Sequence, residues 1–218
     1  MKILALTDIH GAYHIAEKIL LHEKPDLLIL GGDLTNAGTL KDVQGAVKEL
    51  HNHCKKIFCV AGNMDLPHHD DWYTSEGISL NGTGMIIDDV GFFGVSAAPV
   101  SPLRTPYEIT EEEILRRIET GYRMIQSCGR IILVSHPPPY GTKVDIVHAG
   151  YHVGSTAVRE FIEEKKPDLV ICGHIHEGRG YDTIEKTKIV NCGYGHNGYY
   201  ALIDIGKDIQ VNIRQFPL

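Results

Sequence analysis

The chain has 218 residues, 43% of them hydrophobic and 22% charged, a balance that excludes disordered, collagen-like and coiled-coil proteins. Its 28 acidic and 21 basic side chains give a net charge of −7, which argues against duplex nucleic acid and anionic membranes as partners. The sequence has no apolar run near the ~18 residues of a membrane-spanning helix, so no membrane partner is expected. Residues 1–218 are predicted to form a single domain. The five cysteines show no C-x-x-C spacing, which predicts a reduced, cytoplasmic protein.

Short apolar runs alternate with helical patterns along the chain, and this alternation predicts an α/β fold. Strands are predicted at 2–7, 26–31, 56–61, 85–88, 90–95, 130–135, 168–172, 187–191, 199–204 and 209–214. Helices are predicted at 13–23, 39–53, 110–127 and 155–166. The segments 66–84 and 96–109 are predicted to be long loops that flank a functional site.

One sequence pattern occurs twice. Residues 24–31 (KPDLLILG) match residues 166–173 (KPDLVICG), and each copy predicts a helix end, a buried strand and a glycine. Each copy also delivers a polar residue just past its strand, Asp33 in the first and His174 in the second. The pattern favours two α/β halves whose strand ends converge on one site, although chance similarity of two short units is an equal alternative.

Five of the predicted buried strands end in residues that can bind a metal ion. The ends read Asp8-Ile9-His10, Gly31-Gly32-Asp33, Gly62-Asn63-Met64-Asp65, Ser135-His136 and Gly173-His174-Ile175-His176. In open α/β sheets, ligands bind at the carboxyl ends of the strands. A mixture of carboxylate, imidazole and amide ligands suits Mn²⁺, Fe or Zn²⁺, while the lack of a cysteine cluster argues against a structural zinc site.

These motifs resemble the signature of the calcineurin-like metallophosphoesterases, which reads D-x-H, G-D, G-N-x-D, a histidine and G-H-x-H, and covers residues 8 to 176 here. The resemblance implies a four-layer α/β/β/α sandwich, with two mixed β-sheets flanked by helices and two divalent metal ions between the sheets. It implies that one ion is held by Asp8, His10, Asp33 and His176. The other would be held by Asp33, Asn63, His136 and His174, with Asp33 bridging the two. Two such ions about 3.5–4 Å apart can hold a phosphate and activate a bridging water for in-line attack.

The sequence departs from this family at one position. Most active members read G-N-H-D, where the histidine protonates the leaving oxygen and the aspartate orients it, whereas this chain has Met64 followed by Asp65. A methionine cannot transfer a proton. The histidines at 68, 69, 148 and 152 are the candidate replacements, and resemblance to a loop in archaeal and bacterial members favours His152 as the catalytic acid.

The sequence thus predicts a metal-dependent phosphoesterase that hydrolyses phosphodiester bonds of a small nucleotide-like or other phosphorylated substrate. Alternatives within the same chemistry are a pyrophosphohydrolase and a single-strand nuclease, the latter disfavoured by the negative charge and the lack of a basic stripe. A non-catalytic metal- or phosphate-binding scaffold is the alternative of a different class. A homo-oligomer is left open.

Two further segments receive structural interpretations. The run 111–113 (EEE) predicts a helix start whose negative charge favours the helix dipole. The segment 194–198 (YGHNG) predicts a turn between two strands, with lining of the site as its alternative.

Overall fold

Two mixed β-sheets pack face to face, and each carries helices on its outer face. The computed structural model describes residues 1–217. The strands are β1 Lys2–Leu6, β2 Leu27–Gly31, β3 Ile57–Val60, β4 Gly84–Ile87, β5 Val90–Val95, β6 Ala98–Pro99, β7 Glu108–Ile109, β8 Arg130–Ser135, β9 Leu169–Cys172, β10 Gly180–Ile184, β11 Thr187–Asn191, β12 Tyr199–Ile205 and β13 Ile209–Gln215. The helices are α1 Tyr13–Glu23, α2 Leu40–His53, α3 Pro67–Ser75, α4 Glu111–Ile125 and α5 Thr156–Lys165.

The first sheet has five strands in the order β13-β12-β1-β2-β3. Its β1, β2 and β3 are parallel, and β12 and β13 extend it as antiparallel strands. The second sheet has six strands in the order β10-β11-β9-β8-β5-β4, with four parallel strands at its centre and an antiparallel strand at each edge. Both sheets are therefore mixed. The expectation of a four-layer α/β/β/α sandwich is confirmed.

Side-chain alternation along the strands separates the core into three apolar layers. On β1, Leu4 and Leu6 face α1 and α2, while Ile3 and Ala5 face the second sheet. The middle layer joins the two sheets, and the third layer packs the second sheet against α4 and α5. All five cysteines are free thiols, so the core has no disulfide.

The repeated sequence pattern forms the same local structure in both sheets. Lys24 and Lys166 both adopt the left-handed conformation that ends the preceding helix, at φ 49° and 53°. The following aspartates, Asp26 and Asp168, each accept a hydrogen bond from a backbone N–H at the start of the neighbouring strand. The two copies become β2 and β9, one in each sheet, so the polar residues that follow them can meet between the sheets.

The structure corrects the sequence prediction at α3, at β10 and in the predicted loop 96–109, where the two-residue strands β6 and β7 pair with each other. The segment predicted as a loop at 66–84 contains α3, a polar helix that begins with Pro67 and buries His69, Asp70 and Tyr73 against its surroundings. The strand β10 was absent from the prediction because its exposed polar alternation (GYDTI) carries a weak apolar signal. It pairs with β11 as an antiparallel hairpin. Within residues 1–217, the helices are all too short or too polar to cross a membrane.

Candidate functional site

The carboxyl ends of five parallel strands meet at one edge between the two sheets, and the polar side chains follow these ends. The first sheet supplies four residues after β1, β2 and β3, and the second supplies three after β8 and β9. The seven residues are Asp8, His10, Asp33, Asn63, His136, His174 and His176. The structure thus brings together all the residues that the sequence assigned to metal binding.

The backbone turns sharply as it leaves these strands. Asp8, His10, Asp33 and His174 all lie in the left-handed region, at φ 55°, 47°, 51° and 66°. Such conformations are uncommon outside glycine and each costs on the order of 1 kcal/mol or more. Four of the seven candidate ligands therefore have a strained backbone conformation, which the surrounding fold must maintain. Such strain is typical of a functional site.

Two overlapping groups of ligand atoms form within this set. Ligand atoms of Asp8, His10 and His176 all lie within 4.8 Å of one another, and so do those of Asp8, Asp33 and His136. The atom Oδ2 of Asp33 lies 3.6 Å from Nε2 of His10 and 3.5 Å from Nε2 of His136. One carboxylate oxygen of Asp33 thus stands between the two groups, and Asp8 belongs to both.

The remaining two candidates lie beside the second group. The side-chain oxygen of Asn63 is 3.0 Å from Nε2 of His136. The His174 ring lies with its centroid 5.1 Å from that of His136, and its backbone N–H donates to the Asp8 carboxylate at 3.1 Å.

Hydrogen bonds on the far side of two rings fix their orientation. Nδ1 of His136 lies 3.0 Å from the Gly31 carbonyl oxygen, and Nδ1 of His10 lies 2.5 Å from the side-chain oxygen of Asn36. Both rings therefore present Nε2 to the carboxylates, as metal-binding histidines do when a carbonyl or carboxylate holds the other nitrogen. Asn36 was missed by the sequence analysis because its role depends on a contact 26 residues away.

The electrostatics of the centre call for bound cations. Within residues 1–217, the ion-pair partners of Asp8 and Asp33 are all imidazoles. Burial by itself would raise the pKa of Asp8, but a hydrogen bond to His176 and the charges of His136 and His176 outweigh it and lower this pKa to about 2. Burial likewise opposes the imidazolium of His136, but the Asp33 carboxylate raises its pKa to about 9. A proton on His136 thus balances charge among buried carboxylates, and a divalent cation fits the same demand with the same oxygen and nitrogen donors.

His174 differs from His136 in its protonation. Burial, reinforced by the charge of His136, lowers the pKa of His174 to about 4. Its ring is therefore neutral at pH 7, which is the form that binds a metal ion.

The glycine preceding Asp33 leaves room for a ligand ring. Gly32 has φ +102°, and a Cβ built on it would lie 2.3 Å from Nδ1 of His136. Any side chain at this position would push the His136 ring out of the centre.

Met64 and Asp65 do not form the acid pair typical of this motif. Met64 lines the cleft beside the centre, and its backbone N–H donates to Asp33 at 2.7 Å. Asp65 is buried, and its two oxygens accept hydrogen bonds from the backbone N–H groups of Gly62, Leu34 and Thr35 and from the Thr35 hydroxyl. Its carboxylate ties together the loops after β2 and β3, so it is not free to orient a side chain at position 64.

A cleft of about 750 Å³ extends from the centre, and of the four candidate acids only His152 lines it. Nδ1 of His152 lies 2.7 Å from a carboxylate oxygen of Asp145, which is fully buried. His69 is buried within α3, while His148 is 90% exposed and faces Glu177. His68, exposed on α3, is also outside the cleft lining.

The segment 194–198 does more than turn the chain. The Tyr194 ring stacks on the His176 ring, with centroids 4.2 Å apart, and lies 5.6 Å from that of His10. The backbone N–H groups of Gly195 and His196 donate to carbonyl oxygens at the end of β1. The interpretation as a plain turn was therefore incomplete, because this turn packs against two of the candidate ligands.

The model of the calcineurin-like phosphoesterase family matches residues 1–178, which include all seven candidate ligands. The chain belongs to this family. An uncharacterized protein of Methanocaldococcus jannaschii is 34% identical over 195 residues, which cover 88% of this chain and 87% of that protein.

Two solved structures illustrate how widely this phosphoesterase fold is shared. A Thermus thermophilus protein superimposes with a TM-score of 0.74 at 18% identity, over 97% of both chains. A putative 5′-nucleotidase of Staphylococcus aureus superimposes with a TM-score of 0.57 at 15% identity, over 98% of this chain and 52% of its own. At these identities the likeness shows the fold alone. Family membership supports metal-dependent phosphoester hydrolysis in general and implies divalent metal ions, for which the centre offers two candidate groups.

Proposed function

We propose that this calcineurin-like protein is a phosphodiesterase that acts on a small phosphorylated substrate with two divalent ions, Mn²⁺, Fe or Zn²⁺. The observation that carries the proposal is the position of Oδ2 of Asp33, which lies 3.6 Å from Nε2 of His10 in one ligand group and 3.5 Å from Nε2 of His136 in the other. Buried carboxylates balanced only by imidazoles support a cation site within residues 1–217.

The seven side chains divide between two positions. We assign Asp8, His10, Asp33 and His176 to one ion, and Asp33, Asn63, His136 and His174 to the other, with Asp33 shared. Ions bound in this way would polarise the phosphate and lower the pKa of a bound water. The hydrogen bonds from His10 to Asn36 and from His136 to Gly31 would hold the two rings with Nε2 toward the ions.

We assign the proton transfer to the leaving group to His152. Its ring lines the cleft that leads to the centre, and its Nδ1 faces the buried Asp145 carboxylate, which fixes the ring and leaves Nε2 as the nitrogen that would transfer the proton. Asp145 is itself held by backbone N–H groups of Gly141, Thr142 and Gly154 at 2.9–3.1 Å. This pairing of a cleft histidine with a buried carboxylate is typical of a positioned general acid.

The alternatives receive less support. A nuclease needs basic side chains along its phosphate path, but the net charge is −7 and the cleft lining within residues 1–217 has neither lysine nor arginine. The same lack argues against a pyrophosphohydrolase, whose substrate carries a second phosphate. A non-catalytic scaffold is favoured only by Met64, since a residue able to bind a metal ion is present at all seven ligand positions. We propose a cytoplasmic location, which the free cysteines favour.

The experiment is metal analysis of the purified chain combined with hydrolysis of bis(p-nitrophenyl) phosphate in the presence of Mn²⁺. We expect about two ions per chain, activity that a chelator abolishes, and recovery when the ion is restored. Two bound ions without hydrolysis would instead identify a scaffold, and full turnover after verified metal loss would overturn the metal-dependent proposal.

A pair of variants tests the shared ligand. Asp33→Asn should lose more bound metal and more activity than Asn63→Ala, because Asp33 supplies a full negative charge to both positions while Asn63 supplies one neutral oxygen that water can replace. Metal content and rate are measured for both variants at equal protein concentration. Equal losses in the two variants would contradict the bridging assignment.

A further inference from the structure

The cleft beyond the metal centre has an apolar wall that the reaction itself does not require. Of the large apolar side chains exposed within residues 1–217, four line this cleft: Val100 and Leu103 in the 98–105 loop, and Tyr140 and Val153 in the 140–154 loop. Leu103 is 81% exposed and Val100 is 67% exposed. Apolar residues that cluster in the open at the mouth of a site mark a binding surface.

Both loops that carry this wall are fixed by a carboxylate. On the first loop, Glu108 accepts hydrogen bonds from the backbone and hydroxyl groups of Ser101 and Thr105 at 2.8–3.0 Å. On the second loop, Asp145 accepts three backbone N–H groups and contacts His152. The wall is therefore preformed, and its apolar side chains are held at the mouth by the turn geometry.

The charges along the cleft complete the pattern. Glu108 and Glu111 line it, and within residues 1–217 its lining includes neither lysine nor arginine. The carboxylate of Glu111 already accepts hydrogen bonds from the backbone N–H groups of Thr156 and Ala157 at the start of α5. That helix start, a usual place for an anion, is thus occupied by the chain's own carboxylate. A second phosphate in this cleft would meet negative charge and no cation to balance it.

We propose that the substrate is a phosphodiester with one neutral, apolar ester group, and that this group lies between the 98–105 and 140–154 loops. This inference rests on the proposed phosphodiesterase function and specifies its substrate class. The cleft volume of about 750 Å³ falls within the range of about 300–1,000 Å³ typical of small-molecule sites. The scissile phosphate would lie at the end lined by His10, Asp33 and His174, and the apolar group would lie against Leu103 and Val153.

Three synthetic diesters with the same leaving group test this inference: methyl, hexyl and 6-phosphohexyl p-nitrophenyl phosphate. We expect kcat/KM for the hexyl ester to exceed that of the methyl ester by about tenfold, about a third of the full transfer free energy of five methylene groups. The 6-phosphohexyl ester should fall below the hexyl ester by about tenfold or more, because its terminal charge meets Glu108 and Glu111 without a cation. Calorimetric binding of hexyl methylphosphonate and methyl methylphosphonate, which are not readily hydrolysed, should show the same order.

Variants locate the preference on the wall. Leu103→Ser and Val100→Ser should each reduce the hexyl-to-methyl ratio, while Leu21→Ser, a matched change at an exposed leucine on α1, should leave that ratio unchanged. A ratio near one in the wild type, a preference for the 6-phosphohexyl ester, or a ratio that neither wall variant alters would each overturn the inference with the phosphodiesterase function intact. Lack of hydrolysis of all three esters by the metal-loaded protein would instead overturn the proposed function.

Discussion

Replacing His152 by glutamine should slow the hydrolysis of poor leaving groups far more than that of good ones. Glutamine keeps much of the side-chain volume in the cleft but cannot transfer a proton. A p-nitrophenolate departs without protonation, so its rate should change by less than about threefold, whereas an alkoxide needs a proton and a positioned acid contributes typically ~10²–10⁴-fold. We expect the upper part of that range to be reachable, because the buried Asp145 contacts Nδ1 of His152 at 2.7 Å and fixes the ring.

The assay is the dependence of kcat/KM on the pKa of the leaving alcohol across a series of aryl and alkyl methyl phosphates. The wild type should show a shallow slope and His152→Gln a steep one. His148→Gln is the matched control, because it makes the same change at a histidine in the same loop that is 90% exposed and faces Glu177 outside the cleft. A wild-type slope already as steep as that of His152→Gln would refute the assignment and leave metal-bound water as the proton source.

Three further variants test the centre and the stability of the fold. Gly32→Ala should displace the His136 ring, reduce the bound metal and lower the free energy of unfolding by about 2–4 kcal/mol, as measured by thermal or urea unfolding. The control is Gly45→Ala on α2, where an added Cβ meets open space and should raise the free energy of unfolding by about 0.5–1 kcal/mol. Burial tends to raise the pKa of Glu23, but hydrogen bonds from Tyr200, Lys2 and Arg214 outweigh it and lower that pKa below 4.5. The ionised Glu23 carboxylate therefore stabilises the folded state above pH 4.5, and this stabilisation is lost as the pH falls through the pKa of Glu23 in the folded protein. Glu23→Gln should lower the free energy of unfolding by about 1–2 kcal/mol at pH 7 and by progressively less below pH 4.5. Urea unfolding of both proteins from pH 3 to 8 measures this difference, and a pH-independent difference would contradict it.

The sequence predicts the strands and their polar ends well because both signals are local. A continuous apolar run such as Leu27–Leu30 identifies a buried strand, and a polar residue directly after it must lie at the edge of the sheet. The four-layer sandwich came from family resemblance, and the mixed pairing of both sheets confirms it. The polar helix α3 was missed because two of its three buried residues, His69 and Asp70, are polar and leave Tyr73 as the one buried aromatic signal.

Residues that act through tertiary contacts could not be found from the sequence. Asn191 illustrates this, since it ends the predicted strand at 187–191 without any motif. Its buried amide donates to the carbonyl oxygens of Val144, Gly173 and Ile175, and so it holds the segment that carries His174. Asp145 and Asn36 are of the same kind. Their partners lie far away in the chain or in loops whose course the periodicity of the sequence does not fix.

The retention of Asp65 beside Met64 has a structural explanation. If this aspartate served only to orient a histidine at position 64, losing the histidine would leave it a buried carboxylate without a purpose. Instead, four hydrogen-bond donors from the loops after β2 and β3 converge on it. Replacing Asp65 by an apolar residue would leave those donors without acceptors in the interior, and each unpaired buried group would lower the free energy of unfolding by about 1–3 kcal/mol. Asp65 is therefore required for the loops that carry Asp33 and Asn63, whatever residue occupies position 64. The methionine is therefore compatible with the proposed phosphodiesterase, whose leaving-group acid we assign to His152, a residue that lines the same cleft and contacts its own buried aspartate.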